Sequence, residues 1–337
     1  MFPCRASLFA CLSVLSLAVP GERALAALAH PGAPDSYQVW RASTVEALSL
    51  RGDAPSLATA ALISHDSGAL GLASRADDLT PDDTAIGWIH LRVCALTPNC
   101  DIRGSATEMR WLDPDNSAAW LPTLAAAIKD RDSVELDRVL AHMAQGTRVD
   151  FYWNRIVVMM FDAMKSVSGR VRGRYADSDA TRLAFVTGIA AAKIVSPLAM
   201  LADGCRESKP GTARRESCAK IVNILRHSDT VAAQLTGIRI ERRFVRADSK
   251  EYRALGERRR ALEWRVASAA KFDKPLLPWL TSAHARWKLQ RMRTMPREED
   301  VIVAILRDHG MPLDPPPPPP PPTRPPAPPE PLHLKPP

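Results

Sequence analysis

The sequence has few aromatic residues and little of the alternating pattern that marks β-strands. Only 6 % of its 337 residues are aromatic, whereas 46 % are apolar, and Ala and Leu supply much of that share. Ala and Leu are strong helix formers, and the Val/Ile/Tyr/Phe alternation typical of strands is scarce. The composition therefore predicts an all-α protein with a sizeable core.

Signatures of the common catalytic and cofactor-binding sites are also missing. The chain contains no P-loop, G-x-G-x-x-G, H-E-x-x-H, C-x-x-C or G-x-S-x-G segment. None of the eight histidines has another His or Cys at metal-ligand spacing. We therefore expect neither a cofactor nor a metal, and a protein that is not an enzyme. The alternative is a helical envelope enzyme such as a cell-wall hydrolase, for which Glu46, Glu108 and Asp162 are equivalent candidate carboxylates.

Outside the N-terminus, no apolar run is long enough to span a membrane. Residues 1–26 combine a basic start at Arg5, an uncharged apolar run over 6–19 and an A-x-A cleavage site at 24–26. This is the pattern of a secretory signal peptide, and it is too short for a span. An N-terminal membrane anchor is the alternative. We predict a periplasmic or secreted protein that is not transmembrane after signal cleavage and that does not bind nucleic acid.

Four cysteines remain after the signal peptide, and export predicts that they are oxidised. Four cysteines can form two disulfides in three ways. We favour Cys94–Cys100 and Cys205–Cys218, because the first loop contains a turn-forming Pro-Asn sequence and the second a turn-forming Pro-Gly sequence. A zinc site would require C-x5-C and C-x12-C spacings. Structural zinc sites prefer two to four intervening residues, so disulfides are the better interpretation.

One helical pattern occurs twice between Leu79 and Met143. The first copy (79–111) begins Leu-Thr-Pro-Asp-Asp-Thr-Ala and reaches Trp88, and the second copy (112–143) begins Leu-Asp-Pro-Asp-Asn-Ser-Ala and reaches Trp120. The two prolines are one position further apart than the two tryptophans. Asp and Asn side chains after each proline are typical helix N-caps. We predict stacked helical hairpins with both tryptophans in their core. The last helix of the second copy has the apolar stripe Val134, Leu136, Val139, Leu140 and Met143.

This pattern resembles the tetratricopeptide repeat, a helical hairpin of about 34 residues. The resemblance covers 79–143, and 37–143 if the preceding hairpins are degenerate copies. It departs from the family at Leu124 and Leu136, where small residues are usual. It implies an α-solenoid that binds a protein segment. The whole chain also resembles uncharacterised exported helical proteins of Gram-negative bacteria, a resemblance that implies no activity.

Charge is distributed unevenly along the chain. Residues 27–205 hold 17 Lys/Arg and 21 Asp/Glu, a net of −4, whereas residues 206–307 hold 24 and 12, a net of +12. Arginine predominates, which suits contacts to carboxylate or phosphate. An anionic lipid or envelope polymer is therefore a predicted partner, and solvated helix faces are the alternative. The candidate anion-binding residues are Arg242, Arg243, Arg246, Arg258, Arg259 and Arg260.

The stretch from Pro312 to Pro337 holds more than half of the prolines in the chain, including the unbroken run Pro315–Pro322. Such a run adopts polyproline II, about 25 Å long at 3.1 Å per residue, and cannot enter a packed core. We predict a disordered or stiff tail over 311–337, preceded by tetratricopeptide-like hairpins over 27–148 and a helical C-terminal domain over 149–310, basic from 206. The predicted function is that of a non-catalytic scaffold or adaptor.

Overall fold

A computed structural model describes residues 34–171, 175–195, 197–206, 211–272 and 278–317. The predicted signal peptide and most of the proline-rich tail lie outside these residues. Across the described part of the chain the secondary structure is helical and contains no β-strand. The all-α class predicted from composition is therefore confirmed.

The helices follow one another through short connections, and two 3₁₀ turns, Ser117–Trp120 and Ser168–Arg170, precede and follow longer helices. The α-helices are α1 (Pro34–Arg51), α2 (Ala54–Ile63), α3 (Gly68–Leu79), α4 (Thr84–Leu96), α5 (Ile102–Leu112), α6 (Leu121–Lys129), α7 (Ser133–Met143), α8 (Trp153–Val167), α9 (Asp179–Ile194), α10 (Leu198–Gly204), α11 (Ala213–Leu225), α12 (Val231–Arg242), α13 (Lys250–Ala269), α14 (Pro278–Thr294) and α15 (Glu298–Asp308).

Side-chain caps explain why many of these helices begin where they do. The Asp83 carboxylate accepts the backbone N–H groups of Ala85 and Ile86 at 2.9 and 3.1 Å. Thr230 caps α12 in the same way, and Asp132 caps α7. Each cap satisfies amides that the first helical turn leaves without a partner. The predicted helix starts at these positions are local consequences of the sequence.

Consecutive helices from α1 to α7 pack against one another as hairpins, and the later helices then return to cover them. Helix α8 packs against α1, α2, α9 and α14, whereas α10 packs on α6 and α11 packs on α7. The buried apolar side chains form one continuous cluster from Trp40 to Leu306. The two predicted helical segments therefore share one hydrophobic core.

Both predicted disulfides are present. Cys94–Cys100 joins the last turn of α4 to the loop before α5, with Cα atoms 5.4 Å apart, and Cys205–Cys218 joins the end of α10 to α11, with Cα atoms 5.9 Å apart. Both Cα distances lie in the normal range for disulfides. Disulfides persist in oxidising compartments, so the pair favours a location outside the cytoplasm.

Two side chains differ from the predicted core. Val134, predicted to join the apolar stripe of α7, is 78 % exposed because it occupies the first turn after the Asp132 cap. Trp88 lies in the core as predicted, but Trp120 is only half-buried at its edge. The pattern therefore identified the helices correctly and assigned some of their faces wrongly.

The expectation that no stretch beyond the N-terminus could span a membrane is wrong by length and composition, because Asp179–Gly204 in the described part of the chain is long and apolar enough. Within the fold, 47 % of its apolar window is buried, and α9 packs against α2, α4, α8 and α14. A core helix of a folded domain gives the same apolar signal, so this stretch is weak support for a membrane span.

Candidate functional site

An open cleft of about 670 Å³ lies at the N-terminal end of α8. Its walls come from two segments far apart in sequence, the start of α8 with the loop before it, and the end of α14 with the link to α15. The lining residues are Asp150, Tyr152, Asn154, Arg155, Val158, Met159, Met292, Arg293, Thr294, Met295 and Pro296.

A buried carboxylate just before α12 holds the first wall in place. Asp229 accepts the backbone N–H groups of Phe151 and Trp153 at 3.0 and 2.9 Å. Both donors flank Tyr152, which has a left-handed backbone with φ of 54° and lies just before α8. A non-glycine residue in this conformation is uncommon and persists only where its surroundings fix it. Here Asp229 provides that restraint.

A polar network fixes the Tyr152 side chain from the other side. Its hydroxyl donates to Asp113, and it accepts a hydrogen bond from the Asn116 amide at 3.0 Å. Asp113 also pairs with Arg148. Burial, followed by the hydrogen bond to Asp113, raises the pKa of the Tyr152 phenol. The phenol therefore stays protonated and acts as a fixed part of the cleft wall.

Asn154 is the polar group of the cleft whose bonding is incomplete. Its side chain is buried, with 2 % exposure, and its Nδ2 donates to the backbone carbonyl of Met295 at 2.7 Å. A carbonyl only accepts, so the amide nitrogen must face Met295 and the Oδ1 atom must point away from it. Among the described residues, this buried Oδ1 has no hydrogen-bond donor. A buried unpaired acceptor costs about 1–3 kcal/mol, and a donor can recover this free energy only if the neighbouring side chains move aside to expose the atom.

The charged groups around the cleft are largely neutralised by partners of their own. Arg155 pairs with Asp83 and Arg293 pairs with Asp162, each at 2.6 Å. Asp150 accepts the backbone N–H of Tyr152 at 2.7 Å. Burial, followed by the charge of the neighbouring Asp150, raises the pKa of Asp229 well above its usual range. What the cleft offers a ligand is therefore its apolar wall, formed by Val158, Met159, Met292 and Met295.

The predicted anion-binding arginines near the end of α12 are engaged within the fold. Arg242 lies over the Tyr252 ring, 4.2 Å from its centroid. Arg243 donates to a backbone carbonyl in α10 at 2.8 Å, and Arg246 pairs with Asp248 at 2.8 Å. Burial lowers the pKa of Arg243. These contacts reduce what the three guanidinium groups can offer an anion.

Two of the three predicted anion-binding arginines of α13 also contact other groups within the fold, and Arg260 is the exception. Arg258 donates to the backbone carbonyl of Arg226 at 3.1 Å, and Arg259 pairs with Glu263 at 2.7 Å. Arg260 is exposed and makes no hydrogen bond or ion pair with the rest of the described chain. Binding of an anionic partner at this surface therefore stays a prediction. Of the six candidate arginines, Arg260 has the fewest contacts within the described chain.

Sequence reasoning did not find the cleft, although a partial signal was present. The sequence of α8 contains Met159, Met160 and Met164, and methionines at helical spacing are typical either of a core or of an adaptable binding face. In the structure Met159 lies in the cleft, whereas Met160 and Met164 are buried. Neither Glu46 nor Glu108 lines the cleft, and Asp162 lies beside it as the partner of Arg293.

No protein-family model, curated protein or solved structure matches this chain.

Proposed function

We propose that this protein is an exported, non-catalytic helical scaffold that binds a segment of a protein partner in the cleft beside α8. The observation that carries the proposal is the open cleft of about 670 Å³ with Val158, Met159, Met292 and Met295 in its walls. Beneath this surface the Oδ1 of Asn154 has no donor among the described residues. A peptide can supply that donor once the wall side chains move aside, because every residue except proline carries a backbone N–H.

The apolar walls fit the side chains of such a segment. Val158, Met159, Met292 and Met295 line the cleft. Methionine is flexible and polarisable, so a methionine-lined surface adapts to different side chains. We expect the partner segment to be extended, to place one backbone N–H on Asn154 Oδ1, and to bury apolar side chains against the methionines.

The enzyme alternative would need two carboxyl groups that converge on a substrate. The carboxyl pair beside the cleft is Asp150 and Asp229, and Asp150 raises the pKa of Asp229. Asp229 is buried, so a substrate in the cleft does not contact its carboxyl group. In addition, both Asp229 oxygens accept backbone N–H groups. This arrangement supports an anchoring role for Asp229, and binding as the function of the cleft.

A displayed random-peptide library tests the proposal directly. Peptides selected on the oxidised mature protein should bind Val158→Glu at least tenfold more weakly, because the new carboxylate enters the apolar wall. The matched control is Val134→Glu, the same change at a residue that is 78 % exposed on α7. It should bind the selected peptides as the unchanged protein does.

A second variant tests the amide itself. Asn154→Leu removes the acceptor and should weaken binding of the selected peptides by about tenfold. This is the change in affinity expected for the loss of one hydrogen bond of roughly 1.4 kcal/mol. Circular dichroism and thermal unfolding establish that each variant is folded. Selected peptides that bind Val158→Glu and Val134→Glu equally well would reject the cleft as the binding site.

A further inference from the structure

Three potential metal ligands from three different helices meet away from the cleft. Asp77 lies on α3, His90 on α4 and Glu108 on α5, and one ligand atom from each lies within 4.8 Å of the other two. The His90 and Asp77 side chains are 15 % and 25 % exposed, and Glu108 is exposed. The group is thus partly shielded and still open to an ion from solvent.

The contact between Asp77 and His90 requires a cation or a proton between two basic atoms. Asp77 Oδ2 is 3.0 Å from His90 Nδ1, and the other ring nitrogen, Nε2, is 3.3 Å from the Ser74 hydroxyl. The hydroxyl can accept the Nε2 proton, which leaves Nδ1 with a lone pair directed toward the carboxylate. Metal-bound histidines typically have this second partner on the remote nitrogen.

The distances suit a first-row divalent ion. Zinc binds imidazole nitrogen at about 2.0–2.1 Å and carboxylate oxygen at about 2.0–2.2 Å, so tetrahedral ligand atoms lie roughly 3.3–3.5 Å apart. The Asp77–His90 separation needs to widen by only a few tenths of an ångström. Glu108 is exposed and can swing toward the other two ligands. Water would complete the coordination.

The helices that carry His90 and Glu108 are fixed relative to each other. Cys94 lies one turn after His90 on α4, and its disulfide to Cys100 ties α4 to the start of α5. At Gly87 the helices approach so closely that a Cβ would lie 2.9 Å from a methyl carbon of Leu112. Little conformational freedom is lost when a ligand bridges two elements that are already fixed.

The charges of the group favour a cation. Two of the three ligands, Asp77 and Glu108, are carboxylates, and one ligand atom of each lies within 4.8 Å of a His90 ring nitrogen. A divalent ion would therefore be attracted by two carboxylates.

We propose that Asp77, His90 and Glu108 bind a divalent first-row metal ion, with zinc the best match to one imidazole and two carboxylates. The ion bridges α3, α4 and α5 and stabilises this part of the scaffold. The site is separate from the cleft, so it goes beyond peptide binding. Spacing along the sequence does not reveal it, because no two of its ligands lie on the same helix.

Isothermal titration of zinc into the oxidised, chelator-treated full chain tests the site. We expect one ion per chain with a dissociation constant below about 10 μM and a rise in the unfolding temperature on saturation. Glu108→Gln and His90→Gln should each weaken binding at least tenfold and reduce that rise. Because Glu108 is exposed, its variant is expected to fold and tests the site by itself.

Matched controls separate this site from adventitious binding. Glu257→Gln and His227→Gln make the same changes at exposed residues of α13 and of the loop before α12, and both should bind zinc as the unchanged protein does. Absence of saturable binding up to about tenfold above the expected dissociation constant would overturn the proposal. Equal affinity in Glu108→Gln and Glu257→Gln would overturn it as well. Neither result would affect peptide binding in the cleft.

Discussion

The two copies of the helical pattern begin with similar residues and differ in where they place their tryptophan. Trp88 is fully buried and meets Phe151 edge to face, with ring centroids 5.6 Å apart. Trp120 is half-buried between two surface side chains, stacked on His142 at 4.5 Å and covered by Arg110 at 4.2 Å. The same residue type after the same turn is therefore core in one copy and edge in the other.

A slip of one residue explains the difference. Asp83 caps α4 and Asn116 caps the 3₁₀ turn before α6, and these two caps are one position further apart than Trp88 and Trp120. One residue turns a helical side chain by about 100°. When the copies are aligned on their caps, Leu121 corresponds to Trp88, and Leu121 is fully buried. The cap sets the helix phase, and the phase decides which side chain enters the core.

The neighbours of the two copies agree with this phase. The residue of the first copy that corresponds to Trp120 is Gly87, where an added Cβ would lie 2.9 Å from Leu112. An indole in that position would collide with the Leu112 and Met109 side chains of α5. The second copy begins with a 3₁₀ turn and places Trp120 outside, where an arginine and a histidine cover it.

The largest test of this comparison is truncation of each tryptophan. Trp88→Ala should lower the free energy of unfolding by about 3–5 kcal/mol, the usual cost of emptying a buried aromatic site. Trp120→Ala should cost about 1 kcal/mol, because it loses surface stacking and a cation–π contact. Urea unfolding of both variants measures the difference. Equal losses would show that the slip does not separate the two copies.

Each copy of the pattern is associated with one disulfide, but only the first copy contains its disulfide. Cys94–Cys100 closes a loop inside the first copy, whereas Cys205–Cys218 links α10 and α11, which pack on α6 and α7 of the second. The entropy of loop closure predicts that removing Cys94–Cys100 lowers the free energy of unfolding by about 2.4 kcal/mol and that removing Cys205–Cys218 lowers it by about 3 kcal/mol. Paired Cys→Ala variants and urea unfolding measure both. A larger loss for the shorter loop would contradict the entropic ranking.

A pH experiment tests how the loop after the second copy is anchored. Burial and Asp150 raise the pKa of Asp229 above its ordinary value of 3.8. The folded state therefore binds more protons, and this stabilisation is complete below about pH 4 and is lost as pH rises through the folded pKa. The difference in unfolding free energy between the unchanged protein and Asp229→Asn should fall by up to about 1.4 kcal/mol per pH unit in that window.

Asp150→Asn provides the control for this pH dependence. Removing the neighbouring charge should bring the pKa of Asp229 down and narrow the pH window over which the stability difference falls, while the amide oxygen can still accept the backbone N–H of Tyr152. Chemical unfolding at several pH values measures both variants. A window that ends at the same pH in Asp150→Asn would show that the two carboxyls do not interact.

The smallest expected effect concerns the face of α7 in the second copy. Val134→Ala should change the free energy of unfolding by no more than about 0.5 kcal/mol, because the side chain is 78 % exposed. On the same helix, Leu140→Ala should cost about 2–5 kcal/mol, because Leu140 is fully buried. Thermal unfolding compares them. A loss at Val134 as large as the loss at Leu140 would place Val134 in an interface.

By itself, the sequence determined the helices, their caps and both disulfides. These features depend on groups close together in the chain: the Asp83 carboxylate and the amides that follow it, or two cysteines on either side of turn-forming residues. The sequence also showed the excess of positive charge in 206–307. It did not show which of these arginines form hydrogen bonds or ion pairs within the fold. That depends on partners such as the α10 carbonyl that Arg243 reaches.

Only the tertiary structure decided which faces are buried and which side chains meet. Asn154 is far along the chain from the Met295 carbonyl that orients its amide, and Asp77, His90 and Glu108 converge from three helices. Such contacts depend on how helices are phased and stacked, and a one-residue slip turns a side chain by about 100°. Local pattern fixes an element, whereas packing fixes the direction of its side chains.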